Sequence, residues 1–356
     1  VTNRRIEQLQ LELRRKHLNA LVVSSLPNIR YLTGFSGSNA LLIFGSRRCF
    51  FITDSRYTLQ SKDEVRGWKR IITTRPLLEE ASRKGLLAGC KRVGFESAHT
   101  SVAQYRLLRR LFRNVSFVET TSLVEDTVLC KEGAEVDSIR AAAKITDAVF
   151  REMTELITDG VTEGDVAAEI SFRQKRMGAE GDSFEPIVAS GPRSALPHAR
   201  PTGKKIRRGE FVVLDFGCVK NGYNSDLTRT IAVGHVSRRM REMYQAVKEA
   251  QQAAIDAARG GMMASDLDAV ARKHIESRGF GKYFTHALGH GLGLSVHEAP
   301  RISSLSKDRL RTASVVTIEP GVYIPGVGGV RIEDDIVLTD RGCRILTKSP
   351  KELIVV

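Results

Sequence analysis

Cysteine is scarce and shows no pairing pattern. The five cysteines, Cys49, Cys90, Cys130, Cys218 and Cys343, are far apart, odd in number and form no C-x-x-C. That spacing argues against a disulfide framework and against a zinc–thiolate site, and it points to a reducing cytoplasm. Long apolar runs are also missing. None approaches the ~20 residues of a membrane span, so no membrane partner is expected. The opening stretch VTNRRIEQLQLELRRKHL lacks the apolar core and the small-residue cleavage site of a secretory signal. Because the chain begins at Val1, a few residues are expected to have been trimmed. Aromatics make up only 6 % of the chain, with one tryptophan. The glycines of GHGLG and GVGG are no dinucleotide fingerprint, since they lack the strand-to-helix context and the later ribose acid. No low-complexity segment interrupts the chain.

What is present is length and basic charge. The 356 residues are enough for two domains, and the hydrophobic content of 42 % is ordinary for a globular protein. The net charge of +14 is uneven: residues 1–125 hold 22 Lys/Arg against 10 Asp/Glu, and the remainder is nearly balanced. A basic first half could address a polyanion. The basic residues are scattered, however, without interleaved aromatics or a nucleic-acid motif. An arginine-rich solvated surface is the favoured reading, and no nucleic-acid partner is expected.

Periodicity then divides the chain. Residues 4–18 have Ile6, Leu9, Leu13 and His17 on one helical stripe. The strand ALVVS follows, then a turn at LPN (26–28). ALLIFG (40–45) and RCFFIT (48–53) form a strand pair joined through Gly45-Ser46. The strand KRVGFE, a helix near 101–113 and the strand SFVET complete a small α/β domain, 1–126. The second domain, 127–356, opens with a helix over 133–158 closed by Gly160. Thr162 caps a second helix over 163–177. Strands and hairpins follow, from PIVAS through 211–233. Helices over about 238–259 and 264–278 come next, and then VVTIEP, GVYIP and GVRIEDDIVLT. The order helices, strands, helices, strands is a weak internal duplication, and the fold class is α+β.

The second domain is organised around VVLDFGCVKNGYNSD (212–226). An apolar strand ends on Asp215, and Asn221-Gly222 is a strong hairpin signal. With that pair at the tip, Asp215 sits opposite Thr228, and Asp226 shares its face two residues away. Two like charges this close call for a cation, although a solvated hairpin with ordinary surface acids would read the same way. Further groups stand in unusual places. His290 lies in THALGHGLGLSVHE. Glu319 ends an apolar strand before Pro320-Gly321. Glu333 mirrors Glu319 about Gly326, so a hairpin could bring the two level. Two Asp, two Glu and one His form an oxygen-rich set suited to two divalent ions such as Mn²⁺, Co²⁺ or Zn²⁺. Such a pair can acidify a water and polarise a carbonyl, which is chemistry for hydrolysis.

Four stretches, LDFGxxxNGYNSDLTRTIAVG, HALGHGLGLSVHE, TIEPGVYIP and GVRIEDDIVLT, resemble the proline-specific metallopeptidases of the pita-bread fold. These are aminopeptidase P (Xaa-Pro aminopeptidase) and prolidase (Xaa-Pro dipeptidase). NIRYLTGFSGS and FITDSRYTLQ resemble the creatinase-type N-terminal domain of the same family. The resemblance implies a C-terminal pita-bread domain preceded by a smaller creatinase-type domain. It implies metal ligands Asp215, Asp226, His290, Glu319 and Glu333, with Asp226 and Glu333 bridging two divalent ions, Mn²⁺ first among them. Glu319 matches the group that shuttles the proton of the bridging water. His198 matches a histidine that contacts substrate near the scissile bond, and His297 one that stabilises the tetrahedral intermediate. His286 matches a histidine lining the proline pocket, and Arg331 an arginine that orients the site.

The implied activity is release of the N-terminal residue from peptides with proline in second position, by attack of a metal-bridging hydroxide. TDSRY looks more like aminopeptidase P than prolidase, so the aminopeptidase is the first expectation and the dipeptidase the alternative. Methionine aminopeptidase is disfavoured by the N-terminal domain, and creatinase by the intact ligand set. Some pita-bread domains are non-catalytic binding modules, but those have lost the ligands that are present here. The resemblance also implies a homodimer. Tyr223 could line the site or be an exposed hairpin tyrosine.

Overall fold

The computed structural model describes residues 3–45 and 48–356. The expected link through Gly45-Ser46 therefore falls partly outside the described residues. The chain divides into two compact units, Val1–Val128 and Leu129–Val356.

The first unit is a six-stranded sheet flanked by helices. Its strand order is Lys69–Thr73, Cys49–Asp54, Ala40–Gly45, Ala20–Val23, Arg92–Glu96, Ser116–Thr120. The three central strands pair antiparallel and the outer ones parallel. The central strands are near-continuous apolar runs because both faces are covered; Leu21, Phe44 and Phe51 are fully buried. The first helix, Asn3–Arg15, stops short of the expected stripe. His17 turns left-handed at φ 53°. Its amide bonds back to Arg14 O (3.0 Å), and that of Leu18 to Leu13 O (2.9 Å). These are the paired reverse bonds of a Schellman end, with histidine where glycine is usual. LPN is not a turn either. Pro27 lies in the first turn of the helix Leu26–Thr33, where its missing N–H costs nothing, and Gly34 at φ 82° ends it.

The second unit repeats one plan twice. The helices Gly133–Leu156 and Glu163–Arg176 precede the antiparallel strands Ile187–Ser190, Glu210–Phe216 and Leu227–Val233. Their side chains Val149, Met153, Val166 and Ile170 pack on Val212, Leu214 and Ile231. The helices Arg238–Ala257 and Ala264–Ser277 precede a five-stranded sheet. Met243, Val247, Leu267 and Ala271 pack there on Val316, Ile318 and Ile336. Each helix pair thus covers one sheet, and the polar residues of those sheets are left to face elsewhere. Thr162 caps the second helix, accepting from Asp165 N at 3.1 Å.

Two hairpins set the site. Asn221 (φ 52°) and Gly222 (φ 77°) form a left-handed two-residue turn, and Asp215 pairs with Thr228. In the other hairpin Gly321 pairs with Arg331 and Ile324 with Gly328. The same register continues at Ile318–Asp334, so Glu319 and Glu333 stand level between two ladders. GVRIEDDIVLT is not one strand. It breaks after Arg331, and the Glu333 amide leaves its hairpin to bond Thr228 O at 3.0 Å. Thr228 therefore joins the two hairpins.

Candidate metal centre

Asp215 lies on the strand Glu210–Phe216, facing opposite Leu214 and Phe216, which are core. Asp226 sits where the hairpin leaves that sheet, its amide bonded to Asp335 Oδ2 at 3.0 Å. His290 is on the short strand Gly289–Gly291, with its amide on Thr317 Oγ1 at 3.1 Å. Glu333 accepts from Thr228 Oγ1 at 2.7 Å. His290 Nε2 is 3.5 Å from Glu319 Oε1 and 3.8 Å from Asp226 Oδ2. Ligand atoms of Asp226, His290 and Glu333 all lie within 4.8 Å of one another. All five side chains, with His198, His286, His297 and Arg331, line one cavity of about 640 Å³.

The electrostatics of this cluster are unfavourable without a cation. Burial, then Glu333 and Asp215, holds the Asp226 carboxyl well above its usual range. Burial, then Glu333, does the same to Glu319. Burial, then Asp215, lifts Glu333 to about 8. Asp215 Oδ1 and Asp226 Oδ1 are buried and accept no hydrogen bond from any described residue. Carboxylate oxygens in that state are costly unless something else occupies their lone pairs.

Histidine chemistry agrees. His290 Nδ1 faces Gly291 O at 3.0 Å. A carbonyl only accepts, so Nδ1 carries the proton and Nε2 presents a bare lone pair to the carboxylates. Burial lowers its pKa to about 4, so its contacts with Asp226 and Glu319 are not those of a charged ion pair at neutral pH. A lone pair facing ionised carboxylate oxygens repels unless a proton or a metal cation lies between. The donor set, four carboxylates and one neutral imidazole, fits two hard or borderline divalent ions.

Arg331 is 3 % exposed and ties the wall together. It donates to Asp215 Oδ2, to Thr228 Oγ1 (3.0 Å), to Tyr323 OH (2.7 Å) and to Pro197 O (3.2 Å). Tyr323 OH is also 3.0 Å from His286 Nε2, and His286 Nδ1 faces Ala287 O at 2.8 Å. Proton direction follows from the ends: Arg331 donates to Tyr323, Tyr323 to His286, and His286 to Ala287 O. Burial, then Arg331, lowers His286 to about 4, so it is neutral and can accept. His297 is exposed, and its ring lies 4.4 Å from that of His290, edge-on. Burial, then His198, lowers its pKa. His198 is exposed at the tip of a loop.

Sequence reasoning missed Tyr323, and it placed Thr228 opposite Asp215 without its bonds to Glu333 and Arg331. Tyr323 stands in TIEPGVYIP, two residues after Gly321, and its alternation with Arg331 across the hairpin was the available signal. Tyr223 does not line the cavity. It is buried, with its hydroxyl on Glu135 Oε1 at 2.8 Å.

A pair of sheets each backed by two helices, with acids and histidines converging between hairpins, defines a metallopeptidase class, and the comparisons agree. Residues 137–340 match Metallopeptidase family M24, and residues 5–127 match the Creatinase/Prolidase N-terminal domain. The chain is 36 % identical over 362 residues to a Xaa-Pro dipeptidase of Pyrococcus horikoshii, covering 99 % of each. A solved Xaa-Pro dipeptidase from Bacillus anthracis is 38 % identical, with TM-score 0.96 and 99 % of each chain covered. An X-Pro aminopeptidase from Thermotoga maritima is 34 % identical, with TM-score 0.90, covering 96 % of this chain and 98 % of that one. The chain belongs to metallopeptidase family M24. It has a creatinase-type N-terminal domain and a pita-bread C-terminal domain. Among the described residues no helix is long and apolar enough to cross a membrane.

Proposed function

We propose that this chain is a dinuclear-metal Xaa-Pro dipeptidase, a prolidase, rather than the aminopeptidase first expected from TDSRY. That stretch has a local explanation. Asp54 accepts from Arg56 N (3.0 Å) and Asn39 Nδ2 (2.5 Å), and Tyr57 OH bonds Ser38 Oγ at 2.6 Å. Asp54 thus caps the turn Ser55–Tyr57, and the other two contacts tie that turn to Ser38 and Asn39 within the first unit. The relatives named Xaa-Pro dipeptidase match over nearly the whole chain.

The observation that carries the reading is the convergence of buried Asp215, Asp226 and Glu333 with half-buried His290 and Glu319, with two carboxylate oxygens left unbonded. These five would hold two divalent ions, with Mn²⁺ the first to test. When bound, the ions acidify a water and polarise the scissile carbonyl. Glu319 takes the proton of the attacking water and passes it to the proline nitrogen as the C–N bond breaks. His297, neutral at pH 7, donates its N–H to the oxygen that gains charge in the transition state. His198 contacts the substrate backbone beside the scissile bond. His286, fixed by Tyr323, lines the space for the proline ring, to which Phe184, Pro186 and Ile187 add apolar surface. Arg331 holds Asp215 and Thr228 in place.

Arg301 lines the same cavity and is exposed. A dipeptide ends in a proline carboxylate, which a guanidinium can hold in a charge-assisted bond. Arg301→Ala is expected to raise KM for alanyl-proline about 10-fold or more, the effect of losing a bond worth ~1.5–3 kcal/mol. KM for alanyl-prolinamide, which has no carboxylate, should stay unchanged. An equal rise for both would remove Arg301 from this role.

The second reading, Xaa-Pro aminopeptidase, is favoured by the likeness to the Thermotoga maritima structure. Hydrolysis of alanyl-proline against alanyl-prolyl-alanine, with Mn²⁺, separates the two. Cleavage of the dipeptide alone supports the dipeptidase, and cleavage of both supports the aminopeptidase. Cleavage of neither with Mn²⁺, Co²⁺ or Zn²⁺ removes both and favours a binding module. A homodimer in the cytoplasm completes the proposal. Light scattering should give twice the chain mass, and a monomer at working concentration would contradict it.

A further inference from the structure

Glu163 is the first residue of the helix Glu163–Arg176, and its side chain is 0 % exposed. None of the proposed chemical steps uses it. Its carboxylate accepts from the two ends of one loop. At Ser190 it takes the amide (2.9 Å) and the hydroxyl (3.0 Å). At Thr202 it takes the amide (3.2 Å) and the hydroxyl (2.8 Å). Between them it takes Arg193 Nε at 3.0 Å. The helix backbone adds to this, with Glu163 N on Lys204 O (3.0 Å) and Gly164 N on Thr202 O (2.9 Å). Arg193 Nη2 stitches the loop internally to Arg200 O at 2.6 Å. Ser194 Oγ accepts from Gly329 N at 2.8 Å, and Pro197 O from Arg331 at 3.2 Å. His198 is carried at the tip, where it lines the cavity.

We infer that Glu163 is a positioning residue: it ties both ends of the 190–202 loop so that His198 is presented at a fixed place to the substrate. The inference rests on the reading of His198 given above. A carboxylate suits the task better than an amide would. All of its partners are donors, and a carboxylate accepts at both oxygens, whereas glutamine would turn an NH₂ toward donors. Its charge also fixes Arg193, which in turn holds the far limb at Arg200. A loop tied at both ends has little freedom left to lose when substrate binds. Displacing a substrate-contacting group by about 1 Å can cost on the order of 10²-fold in rate.

The test compares the full-length, Mn²⁺-loaded wild type with Glu163→Gln and Arg193→Lys by amide hydrogen exchange, alongside kcat and KM for alanyl-proline. In Glu163→Gln, exchange at 191–201 is expected to rise about 10-fold or more while the rest of the second domain stays protected. kcat/KM is expected to fall about 10- to 100-fold, mainly through KM, with metal content unchanged. Arg193→Lys keeps the charge and should lie between. Unchanged exchange at 191–201 would overturn the inference. So would a loosened loop with wild-type kcat/KM while His198→Ala is impaired. If His198→Ala is itself wild type, the reading of His198 fails, and the exchange data still decide whether Glu163 ties the loop. Should Glu163→Gln fail to fold, Ser190→Ala and Thr202→Val remove donors from one end at a time without stranding a charge. Each should raise exchange at its own end, and no rise in either would overturn the inference.

Discussion

Asp226→Asn is expected to abolish peptide hydrolysis and, in the metal-free protein, to raise the melting temperature. On the proposed reading Asp226 is one of the five side chains that would hold the ions. Losing several kcal/mol of charge stabilisation, at 1.36 kcal/mol per factor of ten, gives a loss of about three orders of magnitude or more. The gain in stability has a separate cause. Without ions, Asp226 is buried among Glu333, Asp215, Asp335 and Glu319, which repel one another as they ionise. Neutralising it removes that repulsion. The pH dependence follows. Glu333 has a folded pKa of about 8, above the ordinary 4.5. Between those values the native state holds a proton that the unfolded chain has released, so stability falls as pH rises. His286 and His290 oppose this at lower pH. Their folded pKa of about 4 lies below the ordinary 6.5, so stability gained from them rises with pH and is complete near 6.5. The net fall should therefore appear between about pH 6.5 and 8 in the metal-free wild type and be flatter in Asp226→Asn. Mn²⁺ should cancel it by binding only the folded form. Differential scanning fluorimetry with and without chelator reads all of this. A metal-free melting temperature that climbs from pH 6.5 to 8 would show that the acids do not repel as described.

Arg331→Lys is expected to damage the protein almost as much as Arg331→Ala. The guanidinium reaches Asp215, Thr228, Tyr323 and Pro197 at once. A lysine has one nitrogen and cannot span that fan. It would leave Tyr323 and Pro197 O short of a donor, and His286 would lose the tyrosine orientation that fixes it. Removing one partner of a buried pair costs about 3–5 kcal/mol, and a misplaced Asp215 adds a loss of about 10–100-fold in activity. The check is kcat/KM together with denaturant unfolding for both variants. A lysine variant within a factor of a few of wild type would mean that a point charge suffices there.

How much of this site was visible beforehand depended on distance along the chain. Asn221-Gly222 fixes a register by local turn geometry, so Asp215 opposite Thr228 followed by counting. The symmetry of Glu319 and Glu333 about Gly326 followed in the same way. Neither count could show that the hairpins meet, because the Glu333 amide reaches Thr228 across 105 residues and nothing local encodes it. Tyr323 gains its meaning from Arg331 and His286 together, and Glu163 from a loop that starts 27 residues later. The misreadings were local competitions lost. Pro27 suits a helix start as well as a turn, and His17 fits a helical stripe but takes a left-handed cap. Tyr223 neighbours a surface turn yet packs inward against the core around Val136 and Leu292. TDSRY resembles a functional stretch, but its hydrogen bonds serve its own turn and the link to Ser38 and Asn39.

The most direct test is a calorimetric titration of Mn²⁺ into the metal-free protein. Asp215, Asp226, His290, Glu319 and Glu333 acting as one centre predict two ions bound per chain, and at most one in Asp226→Asn. No binding, or identical binding by wild type and Asp226→Asn, would contradict a two-ion centre built from these five side chains.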